Sequence, residues 1–236
     1  MDKKDRVIDV WHESLITDHA RHLQHWRVLD NAEKLRAEKF KTAQLQQRYV
    51  AAHGFLRHIL AHYLHTSPDS IRIKTGTHGK PYLLDYPQLA FNLSHTGDAL
   101  MVAVAELCQL GVDIEQCKPR PIVADLVHRC FGTEEIAYWQ SLPEAEQLRA
   151  FYQFWTRKEA FVKATGFGIA LGMKDCVLNP DKPQIFLAVP AVCGLASEWH
   201  SRDIAVAEGI CAALVADKVI AEVIVHERHE KHEKSD

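Results

Sequence analysis

Apolar positions along this chain follow two rhythms. At about 100° per residue, Phe151, Phe154, Trp155, Phe161 and Val162 share one face of a helix predicted over residues 151–166. Gln153, Thr156, Arg157 and Ala164 fall opposite, as a solvated face should. A second helical stripe, Leu45, Tyr49, Ala52, Leu56, Ile59, Leu60 and Tyr63, lies in helical signal that opens at Asp30 or Asn31 and continues with interruptions to about residue 65. The other rhythm is that of strands, read at 7–11, 71–74, 82–84, 89–95, 100–105 and 110–115. The run 100–105 is apolar throughout, as in a strand buried on both faces. Residues 12–27 read as less regular, 122–130 as a helix, and another helix starts at Thr133. Further strands are expected at 176–179, 184–188, 196–200, 210–215 and 221–225, followed by a charged, frayed end over 226–236 with solvated histidines.

Charged residues that interrupt these stripes mark candidate chemistry. Lys158 falls inside the apolar arc of the 151–166 helix, and Glu159 and Lys163 sit one turn apart on its border. Burying such groups costs free energy unless a counter-charge, metal or phosphate meets them. The bland alternative is an internal Glu159–Lys163 pair, worth a few tenths of a kcal/mol (about 0.2–0.5). In the strand over 110–115, Val112 and Ile114 point one way and Asp113 and Glu115 the other, two carboxylates about 7 Å apart. A cation between them relieves their repulsion, whereas an exposed strand face needs none. Arg48 projects near the second helical stripe, either snorkelling into water or binding a phosphate in a cleft. His58, His62 and His65 have a spacing that could chelate zinc, but no carboxylate or cysteine is near in sequence, and a surface stripe is the simpler account. Ser94 and His95 are neighbours on a strand and so face opposite sides, which argues against a nucleophile–base pair.

The chain has 236 residues, 47% hydrophobic and 25% charged, enough for one large domain or two small ones. A net charge of −3 without a basic block argues against a dedicated nucleic-acid binder. The charged start, Met-Asp-Lys-Lys-Asp-Arg, does not read as a signal peptide, and the longest apolar run is too short for a bilayer. The six cysteines lack C-x-x-C spacing, which fits reduced thiols in a cytoplasmic protein.

Asp113, Glu115 and Glu159 together offer three hard oxygen ligands with lysines beside the third, a set that suits Mg²⁺ and a phosphate-bearing substrate. Gly79-Lys80-Pro81, Phe91-Asn-Leu-Ser94-His95-Thr-Gly97, Gly111-Val-Asp113-Ile-Glu115 and Phe154-Trp155-x-x-Lys158-Glu159-Ala-x-x-Lys163-x-x-Gly166-x-Gly168 occur in this order. Over roughly residues 30–215 this series resembles the 4'-phosphopantetheinyl transferases of the long, monomeric, surfactin-synthase-activating class.

The resemblance implies an α+β fold of two similar subdomains in tandem, with the active site in the cleft between them. The N-terminal subdomain is expected over 1–110, the C-terminal one over 111–225, and the tail over 226–236. It implies Mg²⁺-dependent transfer of phosphopantetheine from coenzyme A to a serine of an apo acyl or peptidyl carrier protein, by a cytoplasmic monomer that binds neither nucleic acid nor membrane. Asp113, Glu115 and Glu159 match the metal ligands. Lys163 matches a lysine that neutralises the pyrophosphate and can protonate the leaving group, and Lys158 a second lysine of the same motif without an assigned role. Lys80 with Pro81 and Ser94 with His95 match positions that grip the adenosine end. Arg48, with His95, matches a position that holds the 3'-phosphate of the donor, and Arg36 from Glu33-Lys34-Leu35-Arg36 matches a further basic position upstream. Glu159, or a water held at Glu115, could take the serine proton. The carrier is expected to dock near residues 117–133, with Lys118, Arg120, Leu126, Val127 and Phe131. Rival readings are a metal-dependent phosphohydrolase and a catalytically silent carrier-binding module.

Overall fold

The structure is a computed structural model and describes residues 5–227. The 226–236 segment therefore lies outside the described residues from position 228 onward, as do residues 1–4. The first half runs β1 (Arg6–Ser14), α1 (His19–Val28), α2 (Asn31–Ala37), α3 (Ala43–Leu64), β2 (Ile73–Thr75), β3 (Pro81–Leu83), β4 (Leu89–Thr96) and β5 (Ala99–Glu106). The second runs β6 (Leu110–Gln116), α4 (Val123–Cys130), α5 (Thr133–Ser141), α6 (Glu144–Thr165), β7 (Val177–Leu178), β8 (Phe186–Ala188), β9 (His200–Asp203), β10 (Ile210–Ala216) and β11 (Ile220–Glu227).

Four layers result: α3, a sheet ordered β11-β1-β5-β4, a sheet ordered β6-β10-β9, and α6. The strand β5 shows why. Leu100, Val102 and Val104 pack under Phe55, Leu56 and Ile59 of α3, while Met101, Ala103 and Ala105 face Leu110, Val112 and Ile114 of β6. Beyond β6 and β10, Phe151, Phe154 and Phe161 of α6 join Phe131, Val215 and Trp199 in a third core. Each half thus sets a 22-residue helix on a sheet whose own strands pair antiparallel, the tandem α+β arrangement expected. One crossing links them, because β11 runs parallel beside β1 in the first sheet.

Several local readings change. Residues 19–28, expected to be irregular, form α1, whose N-cap Asp18 accepts a hydrogen bond from the Arg21 amide. The long helical signal splits after α2, and Thr42 caps the start of α3. Asp30 caps α2 in a reciprocal box with Glu33. Between 196 and 203 the strand begins only at His200, after a single 3₁₀ turn. The face of α6 assigned to solvent is buried, with Thr156, Arg157 and Ala164 enclosed. Most of its polar groups find partners: Thr156 donates to the Tyr152 carbonyl, and the terminal nitrogens of Arg157 pair with Asp203 and donate to the Gln153 carbonyl, while Arg157 Nε is buried without one. His226, expected in water, stacks on Trp11 with centroids 4.2 Å apart, and its Nε2 lies 2.6 Å from Asp9.

Candidate active site

The approach of α6 to β6 decides what the site contains. It requires a residue without a side chain at position 111: a Cβ there would lie 2.0 Å from the Ala160 carbonyl oxygen and 2.4 Å from the Ala164 nitrogen. With the helix seated on Gly111, Glu159 and Lys163 stand beside the next outward residues of the strand, Asp113 and Glu115. At its far end α6 stops on Gly166 in the left-handed region, φ +73°, with the stem of Lys80 packed over it.

Lys163 does not pair with Glu159. Its ammonium donates to Asp113 Oδ1 at 2.7 Å, to Ser94 Oγ at 2.8 Å and to the Val112 carbonyl at 3.2 Å. Asp113 is nearly closed off (side chain 7% exposed) and its second oxygen, Oδ2, is buried with no hydrogen-bond partner. Burial, and then the Asp113 carboxylate, push Glu159 above the usual carboxylate range, with Lys163 pulling the other way. Glu115 is also raised, by burial above all, while Arg120 at 3.0 Å opposes the shift. Three mutually repelling carboxylates and one ammonium therefore share the floor of a cleft of about 790 Å³. Among the described residues, no group of three or more His, Cys, Asp or Glu is already drawn into a metal-holding cluster.

The opposite wall is basic and comes from α2, α3 and β4: Arg36, Arg48, His53 and His95 line it, with Ser94 between the walls. Arg48 does not snorkel. Its guanidinium is held by Asp98 at 2.6 and 2.8 Å. His95 is pushed below the usual histidine range by partial desolvation first and by Lys163 and Arg48 next. Sequence reasoning missed His53. Its Nδ1 lies 3.0 Å from Glu33 Oε1, and the other Glu33 oxygen is gripped by the fully buried Arg57 at 2.7 Å. Arg57 is saturated by Glu33, Asp30 and the carbonyls of Pro68 and Ile71. No local pattern marks it: Arg57 follows Leu56 by about 100° round the helix, outside the apolar stripe, and its enclosure appears only once Asp30 and Glu33 meet it.

Two expected residues stand elsewhere. Lys158 does not reach the cleft; it and Glu135 are both 0% exposed and meet at 2.7 Å, and the ammonium also donates to the carbonyls of Met173 and Cys176. Lys80 donates to the carbonyls of Leu110 at 3.1 Å and Ala164 at 2.5 Å, and burial lowers its pKa to about 8. With Pro81 it lines a smaller adjoining cleft of about 280 Å³ that shares Glu159 and Lys163 with the main one. In the expected docking stretch, Val127 and Phe131 are core residues, so its surface is carried by Lys118, Ile122, His128 and Arg129, with Arg120 half-buried. His62 and His58 line a separate cleft with Trp11 and His226, and no helix among the described residues is long and apolar enough to cross a membrane.

Comparison with known proteins agrees with this layout. Residues 109–215 match the family model of the 4'-phosphopantetheinyl transferase superfamily, and residues 17–107 match that of the 4'-phosphopantetheinyl transferase N-terminal region. The 4'-phosphopantetheinyl transferase HetI of Nostoc sp. is 34% identical over 192 residues, covering 80% of this chain and 78% of that protein. The L-aminoadipate-semialdehyde dehydrogenase-phosphopantetheinyl transferase of Mus musculus is 31% identical over 179 residues, 68% of this chain and 57% of that protein. The 4'-phosphopantetheinyl transferase Sfp of Bacillus subtilis is 30% identical over 136 residues, 58% of this chain and 59% of that protein.

Proposed function

We propose that this chain, which belongs to the 4'-phosphopantetheinyl transferase superfamily, carries the phosphopantetheine arm of coenzyme A to a serine hydroxyl of an apo acyl or peptidyl carrier protein. Transfer of phosphopantetheine to carrier proteins follows from the family; the donor, the cation and the residue roles are inferred from the cleft. The observation that carries them is the Asp113 carboxylate, one oxygen bound to Lys163 and Ser94 and the other buried without a partner, beside two carboxylates raised above their usual range. A buried acceptor left unmet is costly, and clustered carboxylates call for a cation. All available donors are hard oxygens, so Asp113, Glu115 and Glu159 fit Mg²⁺. When bound, Mg²⁺ would neutralise charge on a pyrophosphate.

The chain's own groups do the rest. The serine oxygen forms a bond to the β-phosphorus of coenzyme A as the bond to the departing adenosine 3',5'-bisphosphate breaks. Glu159, whose affinity for a proton is raised by burial, takes the serine proton in its ionised form. Lys163 holds an ammonium where negative charge grows and gives a proton to the leaving phosphate. Arg36, Arg48 and His95 on the basic wall, with His53, take the phosphates and adenosine end of the donor. Orientation of two substrates, worth about 7–11 kcal/mol, outweighs any single proton transfer. The carrier, acidic in this reading, docks on the surface with Lys118, Arg120, Ile122 and Arg129. The protein is proposed to act as a cytoplasmic monomer.

The test is to mix the protein, coenzyme A and Mg²⁺ with a panel of apo carriers and follow intact mass. The expected result is one phosphopantetheine added at the carrier serine; no addition to any carrier, or addition unaffected by removal of divalent cations, overturns the reading.

A further inference from the structure

The strand that bears two of the three carboxylates, β6, is at the edge of its sheet, paired on one side with β10 and on the other with no backbone ladder. Its outward amides still find partners. Val112 N–H donates to Asn92 Oδ1 at 2.9 Å, Ile114 N–H to Ser94 Oγ at 3.4 Å, and Gln116 N–H to Thr96 Oγ1 at 3.2 Å. The acceptors are alternate side chains of β4, whose other face carries Leu89 and Phe91 into the α3 core. The offset is constant along both strands, so the polar stripe of β4 replaces a strand with side-chain oxygens and fixes the register of β6.

The two hydroxyls do more than accept. Ser94 Oγ–H donates to Asp113 Oδ1 at 2.8 Å, and Thr96 Oγ1–H donates to Glu115 Oε2 at 3.3 Å. A hydroxyl is the side-chain group that combines one donor with two acceptor sites on a single atom. Ser94 uses all three, accepting from Ile114 N–H and Lys163 and donating to Asp113. Asp113 Oδ1 is thereby occupied, which leaves Oδ2 as the free oxygen.

We propose that Ser94 and Thr96 are positioning residues for the carboxylates: each hydroxyl ties a backbone amide of β6 and the carboxylate one residue earlier, and so sets which carboxylate oxygen is offered to a divalent cation. Ser94, matched above to the adenosine grip, acts chiefly through Asp113 and Lys163. This inference rests on the carboxylates being the cation ligands, as in the proposed function. Groups of this kind typically change metal affinity by about 10–100-fold.

The test is Mn²⁺ binding to the full chain with coenzyme A, followed by electron paramagnetic resonance, for wild type, Thr96→Val and Thr96→Ser, with transfer at varied Mg²⁺ measured alongside. Thr96 is half-buried, so the valine variant keeps the shape and removes both hydrogen bonds. The expected result is about tenfold weaker Mn²⁺ binding in Thr96→Val, a matching rise in the Mg²⁺ needed for half-maximal transfer, and recovery to within about twofold in Thr96→Ser. Ser94→Ala is expected to weaken Mn²⁺ binding as well, and circular dichroism reports whether it folds. Equal Mn²⁺ affinity in wild type and Thr96→Val, or no recovery in Thr96→Ser, overturns the positioning role while the transferase reading stands. A wild-type protein that binds no Mn²⁺ removes the cation assignment, and the positioning role with it.

Discussion

Two lysine–carboxylate pairs project from one helix, five residues apart, with nearly the same separation and opposite circumstances. Lys158 meets Glu135 at 2.7 Å with both side chains sealed from solvent. Glu135 also accepts the amides of Gly132 at 2.6 Å and Leu178 at 2.8 Å, and Lys158 also donates to two carbonyls. Every polar atom of that pair has a partner, so it can only hold α5, α6 and the segment after Gly172 together. Lys163 meets Asp113, also at 2.7 Å, but Lys163 remains 29% exposed in the cleft and Asp113 keeps one buried oxygen unmet. Distance does not separate a structural ion pair from a functional one. Saturation and access do.

The largest expected effect of breaking the contrast lies in the open pair. Lys163→Met should lower transfer by on the order of 10²–10³-fold, the scale of losing one preorganised charge, and should also lower the melting temperature, because the nearly closed-off Asp113 loses its counter-charge. Lys158→Met should act on stability alone. It strands Glu135 in the core, costs about 3–5 kcal/mol of stability, and leaves the rate per folded molecule near wild type, as urea denaturation with parallel activity assays would show. Gly111→Ala is expected to affect both readouts, since the new methyl meets helix backbone that cannot yield; strain of about 1–3 kcal/mol together with a clear loss of transfer is the result to check. Arg48→Ala should raise the KM for coenzyme A about tenfold with a smaller change in kcat, an effect of the basic wall alone.

The smallest effect is one of pH. Glu159 is raised above its ordinary 4.5 in the fold, so between 4.5 and its folded value the native state binds more protons than the unfolded one. Its ionised form is a cost at neutral pH that is relieved as pH falls through the folded value. In a chelator, the melting temperature of wild type should therefore rise relative to Glu159→Gln as pH is lowered from neutral towards 4.5. Mg²⁺ should abolish that relative gain by favouring the ionised carboxylate. A difference that stays flat with pH would count against a strained Glu159.

The contrast also shows what the sequence could reveal. Lys158 in an apolar arc was a visible anomaly, but its resolution depended on Glu135, 23 positions upstream on another helix, which no local pattern supplies. Asp113 and Glu115 were legible because a strand has period two; that Lys163 rather than solvent would meet Asp113 follows from Gly111 admitting α6 close to β6. The two long helices and most strands came from periodicity. The solvated face assigned to α6 did not hold, because the segments around Asp203 and Cys176 cover it, and His53 was hidden because its orientation depends on Arg57 and Glu33 across two helices. The polar stripe Asn92, Ser94, Thr96 was readable as alternation, but its use, hydrogen-bonding a neighbouring sheet's edge, exists only in the assembled fold.

The most direct measurement compares Lys163→Met with Lys158→Met, each corrected to its folded fraction, in transfer from saturating coenzyme A to an apo carrier over a range of Mg²⁺. The expected result is near-normal transfer for Lys158→Met and a loss of at least about 10²-fold for Lys163→Met that Mg²⁺ does not restore. Equal rates for the two, or the greater loss in Lys158→Met, would contradict a chemistry centred on the open pair.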